Sequence, residues 1–467
     1  MKLHFLGANR QVTGSRYCLE VGDRKVMIDC GMYQERPYLS RNWEICPVPP
    51  NEIDALLLTH VHIDHSGLIP RLVHDGFDGP IYATHPSVAL AEIMLRDSAR
   101  IQEEDAKYKK RRHEKEGRRG KYPEEPLYTE RDVEQTLPMC RGVTYNKPFD
   151  VTDSITVTYH DAGHILGSAM LEVVVNEPNR EPRRIIFSGD IGQWNKPIIR
   201  DPTLFQDADY VIMESTYGDR EHVEAGEIGQ QLEDIIRETT SNGGNVVIPT
   251  FAVERAQELM YHISQLVHEN RIPDIPIFLD SPMAIDVTEV FQKYQDYFDM
   301  KTWLQAISDT PPLRFPGLKL CRSVADSQAI NKVNTPCILM ATAGMCNAGR
   351  IKHHLRLNIG RPESCILFVG YQGEGTLGRQ IIEGREEVRI HGRQWRVRAS
   401  VAQIYGFSGH ADRSDLLRWI SHLKAPPRHI FLTHGNEVSA NSLAGRIGGE
   451  MQWNVSVPAY QDVVELD

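Results

Sequence analysis

The chain has 467 residues, a formal net charge of −11 and 41% hydrophobic residues. That length suits two or three domains, and that apolar content can fill a large core, so wholesale disorder is excluded. The acidic balance argues against a protein coated in nucleic acid, but it leaves room for a local basic groove, because the field in a cleft follows the distribution of charge.

No apolar run reaches the length of a membrane span. The stretch from Met1 to Gly7 is too short, and the chain after Gly7 too polar, for a secretory signal to be expected. The cysteines, Cys18, Cys30, Cys46, Cys140, Cys321, Cys337, Cys346 and Cys365, form no C-x-x-C pair. Neither a zinc ribbon nor a disulfide framework is indicated, and a reducing, cytoplasmic setting fits.

Residues 1–30 read as antiparallel strands with turn signals at short intervals, the last running Lys25-Val26-Met27-Ile28 into Asp29-Cys30-Gly31. Asp29 is either a turn aspartate or an outer carboxylate that orients a metal-binding histidine. Next, Ala55-Leu56-Leu57-Leu58 suits a buried strand that ends in Thr59-His60-Val61-His62-Ile63-Asp64-His65. Imidazole nitrogen and carboxylate oxygen are ligands for Zn²⁺ and related ions. His60 and His62 can point into one metal position, and Asp64 and His65 can serve a second.

A helix begins near Leu68, a strand covers residues 80–84, and residues 88–101 have helical spacing. Lys107 to Lys121 is the most basic segment, with nine Lys or Arg against Glu114 and Glu116. It is a solvated helix face or mobile loop on one reading, and an electrostatic arm for a polyanion on the other. Residues 150–205 return to strands. His164 and Asp190 come after strands in glycine-containing loops, where sites gather on a rigid scaffold. His164 would complete a three-nitrogen site with His60 and His62, and Asp190 could bridge to the second site.

From Ala208 onward, apolar strands alternate with helices, which argues for a parallel, doubly wound sheet with ligands at the carboxyl ends of its strands. Thr250, Arg255, Ser281, Met345, Lys352, Thr376 and Arg379 stand near such ends and are candidate substrate contacts. The glycine loop 370–379 lacks the G-K-[ST] ending of a Walker loop. Two more histidines lie near the end of the chain, His410 in Ser-Gly-His-Ala-Asp and His434 in Thr-His-Gly at a strand end.

Asp29, the H-x-H-x-D-H run, the Gly-His164 loop and Ser-Gly-Asp190 resemble the metallo-β-lactamase superfamily in order and spacing. With Glu214, His410 and His434 the chain is similar to the β-CASP ribonucleases, nearest to bacterial and archaeal relatives of the eukaryotic pre-mRNA 3′-end-processing endonuclease. Ribonuclease J is a more distant likeness. Histidine at position 434 places the chain with the RNA-acting members rather than the DNA-repair ones.

The resemblance implies an α/β fold, a four-layered αβ/βα sandwich over 1–208 and 395–467. A β-CASP domain on a mainly parallel sheet flanked by helices would be inserted at 209–394, with the active site in the cleft between the two. It implies two Zn²⁺, one on His60, His62 and His164, the other on Asp64, His65 and His434, with Asp190 bridging; Mn²⁺ takes the same ligands. It further implies in-line hydroxide attack on an RNA phosphodiester, with His410 as general acid oriented by Glu214, and 5′-phosphate and 3′-hydroxyl products. Endonuclease action, with 5′→3′ exonuclease action beside it, is expected. Single-stranded RNA is the expected partner, a homodimer is allowed, and no membrane partner is expected. No appended KH module of the archaeal type and no long C-terminal domain is expected. A hydrolase of small esters or thioesters, or an RNA-binding subunit that needs a partner for cleavage, are the alternatives.

Overall fold

The computed structural model describes residues 1–117, 120–222 and 227–467. Arg118 and Arg119 of the basic segment lie outside the described residues. The chain forms two compact units: Met1–Asn195, Arg200–Glu221 and His410–Asp467 make one, and Lys196–Ile199 with His222–Gly409 make the other. The crossings lie beyond the divisions at 208 and 394 expected from sequence. Strand Tyr210–Glu214 pairs into a sheet of the first unit, and strand Ser400–Gln403 pairs into the sheet of the second.

The first unit holds two seven-stranded sheets. One runs, edge to edge, Val463–Glu465, Lys2–Gly7, Arg16–Val21, Arg24–Ile28, Ala55–Leu57, Ile81–Thr84 and Cys140–Val143. Its first four strands are antiparallel and the rest parallel. The other runs Val455–Ser456, His429–Thr433, Tyr210–Glu214, Arg183–Phe187, Ala169–Val175, Ile155–Asp161 and Phe149–Asp150. Its first four strands are parallel and the rest antiparallel.

The inner faces meet through aromatic pairs. Phe5 packs on Phe431 with centroids 5.2 Å apart, and Tyr17 packs on Phe187 at 6.1 Å. The Tyr17 hydroxyl donates to Thr433 Oγ1 at 2.9 Å, which satisfies the one polar atom this contact buries. Helices cover the outer faces. Against the second sheet, Leu416, Trp419 and Ile420 of helix Arg413–Ile420 join Val211, Met213, Ile430 and Leu432 in one buried cluster. This is the four-layered αβ/βα sandwich.

The second unit is built on a six-stranded, all-parallel sheet: Leu318–Leu320, Ile277–Leu279, Ile338–Ala341, Val246–Pro249, Cys365–Phe368 and Ser400–Gln403. Its central strands are unbroken apolar runs buried on both faces, as a sheet sandwiched by helices requires. Among the described residues no helix is long and apolar enough to cross a membrane.

Candidate metal centre

The candidate ligands converge because of strand direction. In the second sheet of the first unit, strands Arg183–Phe187, Tyr210–Glu214 and His429–Thr433 run parallel. Their carboxyl ends therefore deliver Asp190, Glu214 and His434 to one edge. Strand Ile155–Asp161 points the same way through two antiparallel steps and delivers the His164 loop. In the first sheet, parallel strands Arg24–Ile28 and Ala55–Leu57 deliver Asp29 and the His60–His65 loop. Asp29 and His434 are left-handed, with φ of 57° and 48°, a conformation non-glycine residues hold only when their surroundings fix it.

Among the described residues three clusters of ligand atoms result, of which one is Asp190, Glu214 and His410; the other two are the expected metal positions. His60, His62, His164 and Asp190 form one, and Asp64, His65 and His434 form the other. In the first, His62 Nδ1 lies 3.0 Å from His60 Nε2 and 3.2 Å from His164 Nε2. In the second, His65 Nε2 lies 3.0 Å from His434 Nε2, which is 3.5 Å from Asp64 Oδ2. Ligands about 2.0–2.1 Å from a tetrahedral zinc stand about 3.3 Å from one another, so the spacing fits.

Asp190 joins the clusters. Its Oδ2 faces His60 Nε2 at 3.3 Å and His164 Nε2 at 3.5 Å, and its Oδ1 faces His65 Nε2 at 3.2 Å. Oδ1 is fully buried, and among the described residues no hydrogen bond satisfies it. An orphaned carboxylate oxygen among imidazole nitrogens is what a cation site leaves behind, since such a group is otherwise costly to bury.

The electrostatics agree. Burial, reinforced by His65, pushes the His60 imidazole down to about 3, and burial pushes His62 down to about 4. Burial and the nearby His410 hold His164 well below its ordinary value. All three are neutral at pH 7, the form that binds a metal. Burial opposes ionisation of Asp64 and Asp190, yet the surrounding histidines outweigh it and hold both carboxyls below their ordinary range. Burial would lower His65, but the carboxylates of Asp190 and Asp29 on its two nitrogens raise it.

Asp29 touches the centre only through other residues. It takes His65 Nδ1 at 2.7 Å, and its Oδ1 accepts from the Thr59 amide at 2.8 Å. Of its two sequence readings, the orienting carboxylate matches this placement. The sequence reading missed Thr59, whose hydroxyl lies 3.0 Å from Asp29 Oδ1 and 3.1 Å from His60 Nδ1. It also missed Thr216, whose hydroxyl lies 3.2 Å from His434 Nδ1. Their adjacency to His60 and to Glu214-Ser215 was the available signal, but a hydroxyl beside a motif is common in any loop.

His410 stands beside the centre and is part-exposed. Its Nδ1 lies 3.2 Å from both oxygens of Glu214, and its Nε2 is 3.8 Å from Asp190 Oδ2. Glu214 is fixed from behind by the Ile191 amide at 2.6 Å. Burial would lower His410, but Glu214 and Asp190 outweigh it and raise the imidazole to about 9.

The other candidates lie in the second unit, at or after the carboxyl ends of its parallel strands. Thr250 is buried, with its amide on the Ala341 carbonyl at 3.0 Å. Ser281 and Thr376 cap helices Pro282–Lys293 and Leu377–Ile382. The Met345 carbonyl accepts from the Gly378 amide at 3.2 Å. Arg255 lies 3.8 Å from Glu258, Lys352 donates to the Asn347 carbonyl at 3.4 Å, and Arg379 pairs with Glu383 at 2.7 Å. Each thus has a local structural role.

Three family descriptions match successive parts of the chain: a metallo-beta-lactamase superfamily domain over 18–201, a Beta-Casp domain over 256–381, and a Zn-dependent metallo-hydrolase RNA specificity domain over 395–458. Ribonuclease TTHA0252 of Thermus thermophilus is 38% identical over 437 residues, covering 94% of each chain. Transcription termination factor FttA of Methanosarcina mazei is 30% identical, over 95% of this chain and 68% of that protein. The RNase J-like protein of Methanocaldococcus jannaschii is 29% identical over 99% of both. A crystal structure of a protein of unknown function from Enterococcus faecalis shares the fold, with a TM-score of 0.58 at 13% identity over essentially both whole chains.

Proposed function

Given that the chain belongs to the β-CASP ribonuclease family of the metallo-β-lactamase superfamily, we propose that it hydrolyses single-stranded RNA at this centre. It is a metal-dependent RNA hydrolase. His60, His62 and His164 would hold one divalent ion, Asp64, His65 and His434 a second, and Asp190 both. Such ions, when bound, supply an activated water and neutralise charge on the phosphoryl oxygens. Zinc suits the nitrogen-rich donor set, and manganese is accepted by the same ligands.

The chain's own groups do the rest. Glu214 holds Nδ1 of His410, so the proton on Nε2 faces the centre. His410 gives that proton to the departing 3′-oxygen, as a general acid beside a carboxylate can. The products would be a 5′-phosphate and a 3′-hydroxyl. No group of the RNA sugar takes part, so preference for RNA falls to binding contacts. Thr250, Arg255, Ser281, Met345, Lys352, Thr376 and Arg379 are proposed for those contacts. Internal cleavage is the expected mode, with 5′→3′ trimming beside it.

The observation that carries this reading is the pair of Asp190 oxygens, one toward each ligand cluster. The test is cleavage of 5′-labelled single-stranded RNA by the purified protein, beside a His410→Ala variant and an EDTA-treated sample. Internal fragments lost in both controls support the reading. A metal-loaded protein that leaves RNA intact but hydrolyses small esters would overturn it.

A further inference from the structure

Helix His85–Glu116 has 32 residues and is therefore about 48 Å long. Its start is fastened to the loop that carries His164: the Thr84 and Ser87 hydroxyls donate to the Gly167 carbonyl at 2.7 and 2.9 Å. Pro86, Ser87, Leu90, Ala91, Leu95 and Ala99 are buried, but beyond them only Ala106 is. Side chains three, four and seven apart share a helix face. Leu95, Ala99 and Ala106 thus lie on one side, and Tyr108, Arg111 and Lys115 on the opposite one; Lys109 and Lys110 fall on the side of Ala106, but beyond Ala106 every helix residue except His113 is exposed, so this end is cationic all round.

Residues 107–116 hold six cations against two carboxylates, in a chain whose net charge is −11. Lys107 pairs with Glu103, and Arg112 with Glu116. Lys109, Lys110, Arg111 and Lys115 are exposed and form no ion pair with the described residues. Complementing the helix dipole accounts for cations in the last turn only. Lys107 to Arg111 lie further in, so the charge needs another reason. Tyr108, amid the cations, is 64% exposed. Cations for a phosphate backbone beside an aromatic ring for base stacking are what single-stranded nucleic acid calls for.

We propose that this exposed end of the helix is a second RNA-docking surface, which holds single-stranded RNA at a distance from the scissile bond. The proposal rests on the ribonuclease reading. Lys107 stands about 33 Å along the helix from His85, so a long strand can engage both the surface and the centre while a short oligonucleotide cannot.

The test is a fourfold variant, Lys109→Gln, Lys110→Gln, Arg111→Gln and Lys115→Gln, in the full chain. Glutamine keeps helix propensity. Binding of labelled long and short RNA is followed by fluorescence anisotropy over a salt series, with cleavage rates beside it. Affinity for long RNA should fall about tenfold at low salt, and the salt slope should fall by roughly 3, since each phosphate contact on a single strand contributes about 0.7. Cleavage of the short oligonucleotide should be unchanged.

Unaltered long-RNA affinity and slope would overturn the proposal, as would equal losses on long and short RNA. Weakened binding to anionic phospholipid vesicles with RNA binding intact would assign this end of the helix to a membrane surface instead. A wild-type protein that cannot cleave even the short oligonucleotide would count against the ribonuclease reading, while the binding comparison would still judge the surface.

Discussion

Asp29 receives Nδ1 of His65 at 2.7 Å, and neither residue is more than 1% exposed in its side chain. With Nδ1 engaged, Nε2 is turned toward His434 at 3.0 Å and Asp190 at 3.2 Å, where a bound cation would take its lone pair. A carboxylate in that position sets both the ring orientation and its basicity. Asp29→Ala should therefore weaken metal affinity about 10- to 100-fold at the position shared by Asp64, His65 and His434. Metal analysis after dialysis against a weak chelator should show the variant losing one ion per chain before the wild type does. Equal retention would mean that Asp29 serves only the fold.

In the proposed mechanism the contact between Glu214 and His410 governs a proton. The imidazole stands at about 9 because Glu214 and Asp190 outweigh its burial. A general acid works while it is protonated, so activity should persist through neutral pH and fall on the alkaline side. Glu214→Gln removes the main opposing charge, lowers the imidazole and moves that alkaline limb down. Profiles of kcat/KM against pH should show a larger loss at pH 8 than at pH 6. A uniform loss across pH would make Glu214 a packing residue.

How far the sequence was legible depends on the range of the interactions. The histidine loop could be read because its four ligand-type residues fall within six positions of one strand end. His434 could be placed only by resemblance, since strand pairing brings it to His65 across 369 residues. The parallel sheet of the second unit was visible in apolar runs such as Val246–Pro249. Strand membership needs longer-range information: Tyr210–Glu214 and Ser400–Gln403 are similar short strands, and only their pairing partners tell which sheet each joins. Thr59 and Thr216 were missed for the same reason, because a hydroxyl's role depends on where its neighbours fold.

His262, in the second unit, gives a stability prediction. Burial, with help from the cations Lys196 and Lys301, pushes its imidazole down to about 4, against 6.5 when unfolded. Between those values the unfolded chain binds a proton that the folded chain refuses. Stability is therefore lost as pH falls from 6.5 toward 4, by about 1.4 kcal/mol per pH unit. His262→Gln removes this one contribution. Urea midpoints should show the variant losing less stability than wild type between pH 7 and pH 5. Parallel losses would sink the assignment.

Gly31 links the backbone to the centre. A Cβ placed there would come within 1.6 Å of the Asp64 carbonyl oxygen, and the Gly31 amide is held by the Ser15 carbonyl at 2.9 Å. Neither neighbour is a flexible side-chain end, so Gly31→Ala must displace the backbone that aims Asp64. Gly229, within helix Ile228–Ser241, has open space where its Cβ would go and serves as the control. Gly31→Ala should lower metal occupancy and RNA cleavage together by at least about tenfold, as a shift of the order of an ångström at a reacting centre does. Gly229→Ala should leave both unchanged and raise thermal stability slightly, because alanine loses less backbone freedom on folding. If Gly31→Ala kept full metal content and rate, the loop that bears Asp64 would be freer to move than its hydrogen bonds imply.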